Sequence, residues 1–508
     1  MRNPLRLAMT SWLVLAGCER PRASTGEALA HEYCASCHEF PQPQLLDKKT
    51  WEEKVLPAMA TRVGLKANTL ADELSRSPYM KVLPTAMPAA DWQKIVAYFR
   101  ERAPDSLPYQ SWPAGVQLNP ALFRVGPFIR GMPSSGIVTL LKTDSVHRLI
   151  FIGEAGSNTL RVFDWNRRLL STLKLGSPPT DVLVGDNRML VLESGILDPN
   201  DEPRGSLVEY VVTGRDSLRL TRTVIDSLFR PVFIRQLDDG NGGKEFVICE
   251  YGNNRGRLAL YRYDGEAYRR EILDSSPGAI RFEFVDLTGD GSPDIVALLA
   301  QGDERIVLFE NDGKGGFSRQ RTLARFPPVY GSMYFSLHDF NGDGILDIVY
   351  VNGDNFDYSR VLKPYHGVRI LENDGKNNFR ERYFFPIYGA ARAEISDFDR
   401  DGDPDILVTS NFADFQKHPE RGIVFLENEG LYQFRPYAFT AAATNQWNLT
   451  TSADLNGDGW PDVIVAGMNL GSIARLQRGG TGGKVRAPDD PILFFENMRT
   501  PMSQGGAH

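Results

Sequence analysis

Cysteine is scarce in this chain: Cys18, Cys34, Cys37 and Cys249 are the only four in 508 residues. Three of them fall in motifs taken up below. The fourth, Cys249, closes the apolar run Phe246-Val247-Ile248-Cys249, where a small buried strand residue is expected, so no structural disulfide is predicted. A basic excess is also missing. Lys and Arg number 57 against 64 Asp and Glu, for a net charge of −7, and no basic tract stands out. That leaves no electrostatic footprint for nucleic acid. The apolar stretch Leu7 to Leu15 is too short for an ordinary membrane span. The chain also has no Ser/His/Asp order, phosphate-binding loop or nicotinamide fingerprint, so catalysis would have to rest on something else.

What is present reads as an ordinary globular composition, 42% hydrophobic and 24% charged, in a chain long enough for two or more domains. Gly 47, Pro 32, Phe 28 and Tyr 18 favour many turns and many strands. At the amino terminus Arg2 and Arg6 precede the Leu7–Leu15 stretch, which ends in Leu15-Ala16-Gly17-Cys18. This segment resembles the bacterial lipobox. The resemblance implies a signal over residues 1–18, cleavage before Cys18, and acyl chains on Cys18 that anchor the protein to a membrane. A plain secretory signal with an incidental Cys is the alternative, and both readings export the protein. Glu19 is not the Asp linked to inner-membrane retention, which favours the outer membrane or cell surface over the periplasmic face of the inner one.

Cys34-Ala35-Ser36-Cys37-His38 is a C-x-x-C-H run. Two thiols at this spacing can form thioethers to the vinyl groups of one porphyrin, and the adjacent imidazole can then ligate the iron. A redox dithiol or half of a zinc site are the competing readings, but no second Cys pair or His cluster completes a zinc set. Thr25 reads as the start of a helix that delivers the motif. A second helix is expected over Asp47–Leu56, and a third from Ala90, where Trp92, Ile95, Val96 and Phe99 share one face. Residues 25–102 thus resemble a small all-α cytochrome c domain with one covalent haem c, held by Cys34, Cys37 and His38. The resemblance points to Met87, in Met87-Pro88 just before the last helix, as second iron ligand, with Met59 and Met80 as rivals. A Met/His pair would raise the potential above that of bis-His ligation. His31 falls on the motif's own helix and so on the wrong side of the ring.

Pro104, Pro108 and Pro113 mark residues 103–118 as a stiff linker. Beyond it one pattern recurs four times: Asp286, Thr288, Asp290, Asp294; Asp339, Asn341, Asp343, Asp347; Asp397, Asp399, Asp401, Asp405; Asp454, Asn456, Asp458, Asp462. The spacings are 53, 58 and 57 residues (339 − 286, 397 − 339, 454 − 397). Oxygens at positions 1, 3, 5 and 9 with a main-chain carbonyl at 7 can wrap a hard cation, and Gly at position 6 permits the turn. Strands in place of helices, and Asp at 9 in place of Glu at 12, separate this loop from an EF-hand. Up to four calcium ions are expected, weakest at the Thr288 loop; plain turn chemistry is the alternative.

Glu310-Asn311, Glu372-Asn373, Glu427-Asn428 and Glu496-Asn497 follow these loops as strand ends entering tight turns. Together the two signatures resemble the FG-GAP/VCBS repeat, the blade unit of integrin-alpha-like β-propellers, over about residues 281–500. The resemblance implies an all-β, seven-bladed propeller across residues 119–500, with calcium loops in the last four blades and more degenerate blades before them. Blade starts are expected near Gly136, Pro179, Pro231, Pro277, Pro327, Tyr388 and Thr440. The last blade lacks an outer strand, which Ala121–Val125 is expected to supply. The Asp239–Gly242 turn is too altered to hold an ion well. The leading function is electron transfer by a membrane-anchored c-type cytochrome, with the propeller docking a redox partner protein. A propeller oxidoreductase using the haem as acceptor, with His338, Arg392, Asn355–Tyr358 and Asn411–Asp414 near the channel, is the second reading. A surface adhesion module with an accessory haem is the third.

Overall fold

A computed structural model of the protein describes residues 25–65, 87–113, 115–132, 134–214, 217–238, 244–354, 361–468 and 491–499. Cys18 with its lipobox, Met80, Asp239–Gly242 and Asn355–Tyr358 lie outside the described residues. No described helix is long and apolar enough to cross a membrane.

The amino-terminal part is helical. Helix α1, Gly26–Cys34, starts where the Thr25 hydroxyl accepts the Ala28 N–H at 3.2 Å. Helix α2, Lys48–Thr50, is capped by Asp47 and runs through a π-helical turn, Trp51–Val55, into α3, Leu56–Arg62. Helix α4, Ala89–Arg102, buries Ile95 and Phe99 as its apolar spacing requires. It packs across α1 at Gly26, where a Cβ would overlap the Lys94 carbonyl, so glycine sets the closeness of the crossing. Trp51 and Phe99, ring centres 4.5 Å apart, fill the space beneath.

Residues 123–497 form seven sheets built on four antiparallel strands, which in the first six run in sequence order from the inside outwards. The inner strands are Val138–Asp144, Pro179–Gly185, Pro231–Asp238, Ala279–Val285, Ser332–His338, Ala390–Ser396 and Trp447–Ala453, here blades I to VII. Each inner strand touches the next, and that of blade VII touches that of blade I, so the sheets close a ring around a central channel. The chain is therefore a seven-bladed β-propeller. Second strands such as Asp294–Leu299 and Asp405–Ser410 are buried on both faces, which is why they read as unbroken apolar runs.

The ring closes through its first strand. Phe123–Pro127 pairs antiparallel with Ile492–Asn497 and becomes the outer strand of blade VII, as the missing strand there predicts. Phe123 packs on Phe398, Phe425, Phe439 and Phe495, so the seam is bonded by a ladder and filled with aromatic rings.

Residues 103–118 are strapped to the propeller. Tyr109 donates to Asp414 at 2.6 Å, and the Gln110 amide donates to the Tyr388 hydroxyl at 2.6 Å. The Gln110 side chain donates to the His366 carbonyl at 2.8 Å, and Trp112 packs edge-on against Phe385 beneath the Arg421 guanidinium. Gln117–Leu118 then joins blade VI as a fifth strand, parallel to Phe434–Ala438.

Candidate functional site

Cys34 ends α1, and Cys37 and His38 follow in a turn tied back by Ser36, whose hydroxyl donates to the Tyr33 carbonyl at 2.6 Å. Cys34 is half-buried and Cys37 exposed, and both thiols are free. Burial, helped by Cys37, pushes the Cys34 thiol up to about 11, the opposite of an activated redox dithiol. Among the described residues neither Cys nor His38 belongs to a three-ligand His/Cys/Asp/Glu cluster. The His38 Nδ1 lies 2.8 Å from the Glu39 carbonyl oxygen. A proton on Nδ1 donated to that carbonyl leaves the Nε2 lone pair free, as metal-binding histidines are commonly set. Burial lowers the His38 pKa and so favours the neutral ring.

Cys34 borders an apolar cluster of Leu29, Phe40, Trp51, Val55 and Phe99 that also holds Met87, 3% exposed, and partly buried Met59. Both thioethers sit in the cluster, so the packing alone does not separate them as ligand. His31 stacks on Phe40, ring centres 3.9 Å apart. Cys34 and two thioether sulfurs at one apolar cluster, with Cys37 and an imidazole held through Nδ1 next to them in the chain, match the donor set of a c-type haem.

The motif faces the propeller. Arg325 of blade IV donates to the Cys37 carbonyl at 3.5 Å, Arg62 reaches Asn254 of blade III at 3.0 Å, and Val329 packs into the helical cluster. Asn254 lies in a loop joining second to third strands, Val329 in a connection between blades, and Arg325 at the end of the outer strand that leads into that connection. The helical part and the strap therefore cover one face of the ring.

The Asp loops lie at the other face, between inner and second strands, and all four share one geometry. The position-1 Asp accepts the N–H of the position-6 glycine, for example Asp339 from Gly344 at 2.8 Å and Asp454 from Gly459 at 2.9 Å. Those glycines, 291, 344, 402 and 459, have φ of 88°, 81°, 103° and 90°, which side chains disfavour. The position-9 Asp is buried in every copy and accepts the N–H of the following Glu-Asn asparagine: Asp294 from Asn311, Asp347 from Asn373, Asp405 from Asn428 and Asp462 from Asn497, at 2.8 to 2.9 Å. The second signature is thus the partner of the first.

The loops differ as ion sites. In blade VI, Asp397, Asp399 and Asp405 offer oxygens all within 4.8 Å of one another, while Asp401 accepts the Asp403 N–H at 2.9 Å. In blades V and VII the position-3 asparagine donates to the position-5 carboxylate, Asn341 to Asp343 and Asn456 to Asp458, both at 2.9 Å. In blade IV both Asp294 oxygens accept backbone N–H groups. The Asp462 Oδ2 is buried without a hydrogen-bond partner. Burial, with neighbouring carboxylates, pushes Asp405 up to about 8 and Asp462 up to about 6. A cation would relieve that repulsion.

A family model described as an FG-GAP-like repeat matches residues 286–350, from the first Asp loop into the second strand of blade V. This is a propeller bearing an FG-GAP-like repeat. Among solved structures the chain is similar to Saccharomyces cerevisiae Sqt1, at 10% identity and a TM-score of 0.40, over 73% of this chain and 97% of that one. No curated protein matches the chain.

His338 and Arg392, which the oxidoreductase reading put near one end of the channel and which otherwise read as ordinary rim or strand residues, lie on the inner strands of blades V and VI. That reading put Asn411–Asp414 at the channel as well, but Asp414 is occupied by the strap. Sequence reasoning passed over a set of buried glutamates beside the second-to-third strand turns: Glu154, Glu193, Glu250 and Glu304. Their signal was an acidic residue ending or following an apolar run, which read as a strand terminus.

Proposed function

We propose that the protein is an exported, lipid-anchored c-type cytochrome in which the propeller docks a redox partner. The observation that carries this reading is His38, its Nδ1 2.8 Å from the Glu39 carbonyl oxygen, beside two free thiols. Cys34 and Cys37 would hold the haem covalently and His38 would ligate its iron, with Met87 as second ligand and Met59 as rival. Bound there, the haem supplies one-electron transfer. Arg325 ties the motif, and Arg62 the end of α3, to the propeller, so a partner bound at that face meets the helical part as well. Calcium in the Asp loops would stiffen the opposite face, and Cys18 would fix the assembly to a membrane, outer or cell-surface. The propeller supplies a loop-rich docking surface, and no catalytic role is assigned to it.

Secretion in a host that matures c-type cytochromes tests this reading. The purified protein is expected to retain a reducible haem after denaturation, and Cys34→Ala with Cys37→Ala to lose it. Loss of the charge-transfer band in Met87→Ala but not Met59→Ala would identify the thioether. Protein secreted without haem under these conditions refutes the reading.

A further inference from the structure

The channel is lined by alternating cations and aromatic rings. Arg235 lies 4.0 Å from the centre of the Phe233 ring, and Arg281 lies 5.3 Å from the same ring. Arg281 is also 4.7 Å from the Tyr334 ring, and Arg392 is 5.2 Å from it. These residues come from the inner strands of blades III to VI, so the belt runs round more than half the ring.

Most of the charges in the belt are matched. Asp181 binds Lys142 and Arg235, each at 2.9 Å. Glu283 accepts from Arg281 at 3.1 Å, and Glu394 accepts the Ser452 N–H and hydroxyl at 3.0 and 2.7 Å. Arg392 is the exception: its guanidinium makes no hydrogen bond or ion pair among the described residues. The Nε atoms of Arg281 and Arg392 and the hydroxyl of Ser336 are shut off from solvent without partners. Ser336 shares a face of its strand with Tyr334. Two guanidinium groups with unsatisfied nitrogens thus flank one aromatic ring, and an unsatisfied hydroxyl lies on the same strand face. A cation largely withdrawn from water without an anionic partner is unfavourable, and a ring face offsets that only in part.

We infer that the channel between Arg281, Tyr334 and Arg392 binds a small monocarboxylate. Lys142, Arg235 and Arg281 each have a carboxylate within hydrogen-bond reach and Arg392 has none among the described residues, which leaves its charge open to an anion. His338 adds no cation near pH 7, because burial and Arg281 lower its pKa to about 4. A guanidinium fork fits a planar carboxylate, and the Tyr334 and Phe233 rings suit a short apolar tail better than a hydrated phosphate. Arg281 keeps 17% of its side-chain surface accessible, so a small solute reaches it through water. The inference does not depend on the haem.

Acetate is the probe, with chloride at equal ionic strength as control. Acetate at tenfold its dissociation constant is expected to raise the melting temperature of the full-length protein by about 2 °C. Arg392→Gln, which removes the unpaired charge, should melt no lower than wild type without acetate and lose the acetate response. The carboxyl signal of ¹³C-acetate should broaden with wild-type protein and stay sharp with Arg392→Gln. Equal shifts with chloride overturn carboxylate recognition. Neither shift nor broadening with the wild type overturns the site and leaves the guanidinium groups to water.

Discussion

Glu304 couples the propeller's stability to pH. It follows the second strand of blade IV, is 2% exposed, and accepts the backbone N–H of Ser332 at 2.8 Å and of Gly331 at 3.1 Å. Burial outweighs these bonds and pushes its carboxyl from 4.5 up to about 8. The folded state therefore holds this proton more tightly than the unfolded chain does. The stabilisation is complete below about pH 4.5 and is lost as pH rises towards 8. At pH 7 the proton difference spans about 2.5 units, or about 3 kcal/mol at 1.4 kcal/mol per unit. Glu304→Gln has no charge to expose, so its stability should fall far less between pH 5 and pH 8. It should also carry a constant loss of about 1 kcal/mol for the Gly331 bond. Urea unfolding of both proteins from pH 5 to 8, in saturating calcium so that Asp405 and Asp462 are held alike, reads the difference. Parallel curves would refute the reasoning.

Other outcomes follow from the same geometry. Chelation of calcium should lower the propeller's melting temperature by several degrees while the haem spectrum stays fixed; Asp399→Ala should remove part of that response, and indifference to chelator removes the ion from the loops. Phe123→Ala empties an aromatic site shared by blades VI and VII and should cost about 3–4 kcal/mol in urea unfolding, with under 1 kcal/mol refuting its place in the seam.

The repeats were legible because their chemistry is local. Asp at 1, Gly at 6 and Asp at 9 fix a turn whatever surrounds it, so four blades were marked directly, the other three followed from strand rhythm, and the closing strand expected at Ala121–Val125 lies at Phe123–Pro127. The Cys34–His38 motif was legible for the same reason. The strap was not. Gln110 and Trp112 find their partners more than 250 residues away in sequence, and proline spacing alone reads as a stiff linker between domains. The channel belt was equally hidden, since Arg235, Arg281 and Arg392 come from three blades and look like ordinary strand residues until the ring closes. Glu304 was missed because a buried carboxyl and an exposed one are written with the same letter.

The seam also sets an order of events during synthesis. Arg124 and Glu496, neighbours across the closing ladder, are 372 residues apart in the chain. Phe123–Pro127 is made before any blade and finds its partner only after the last blade is made, so its edge and aromatic ring stay unpaired for nearly the whole of translation. Closing so long a loop costs entropy that local blade formation does not, which makes ring closure the slow, cooperative step. A chain cut short before Ile492 would keep six complete blades and expose two unpaired strand edges, with aggregation as the expected fate.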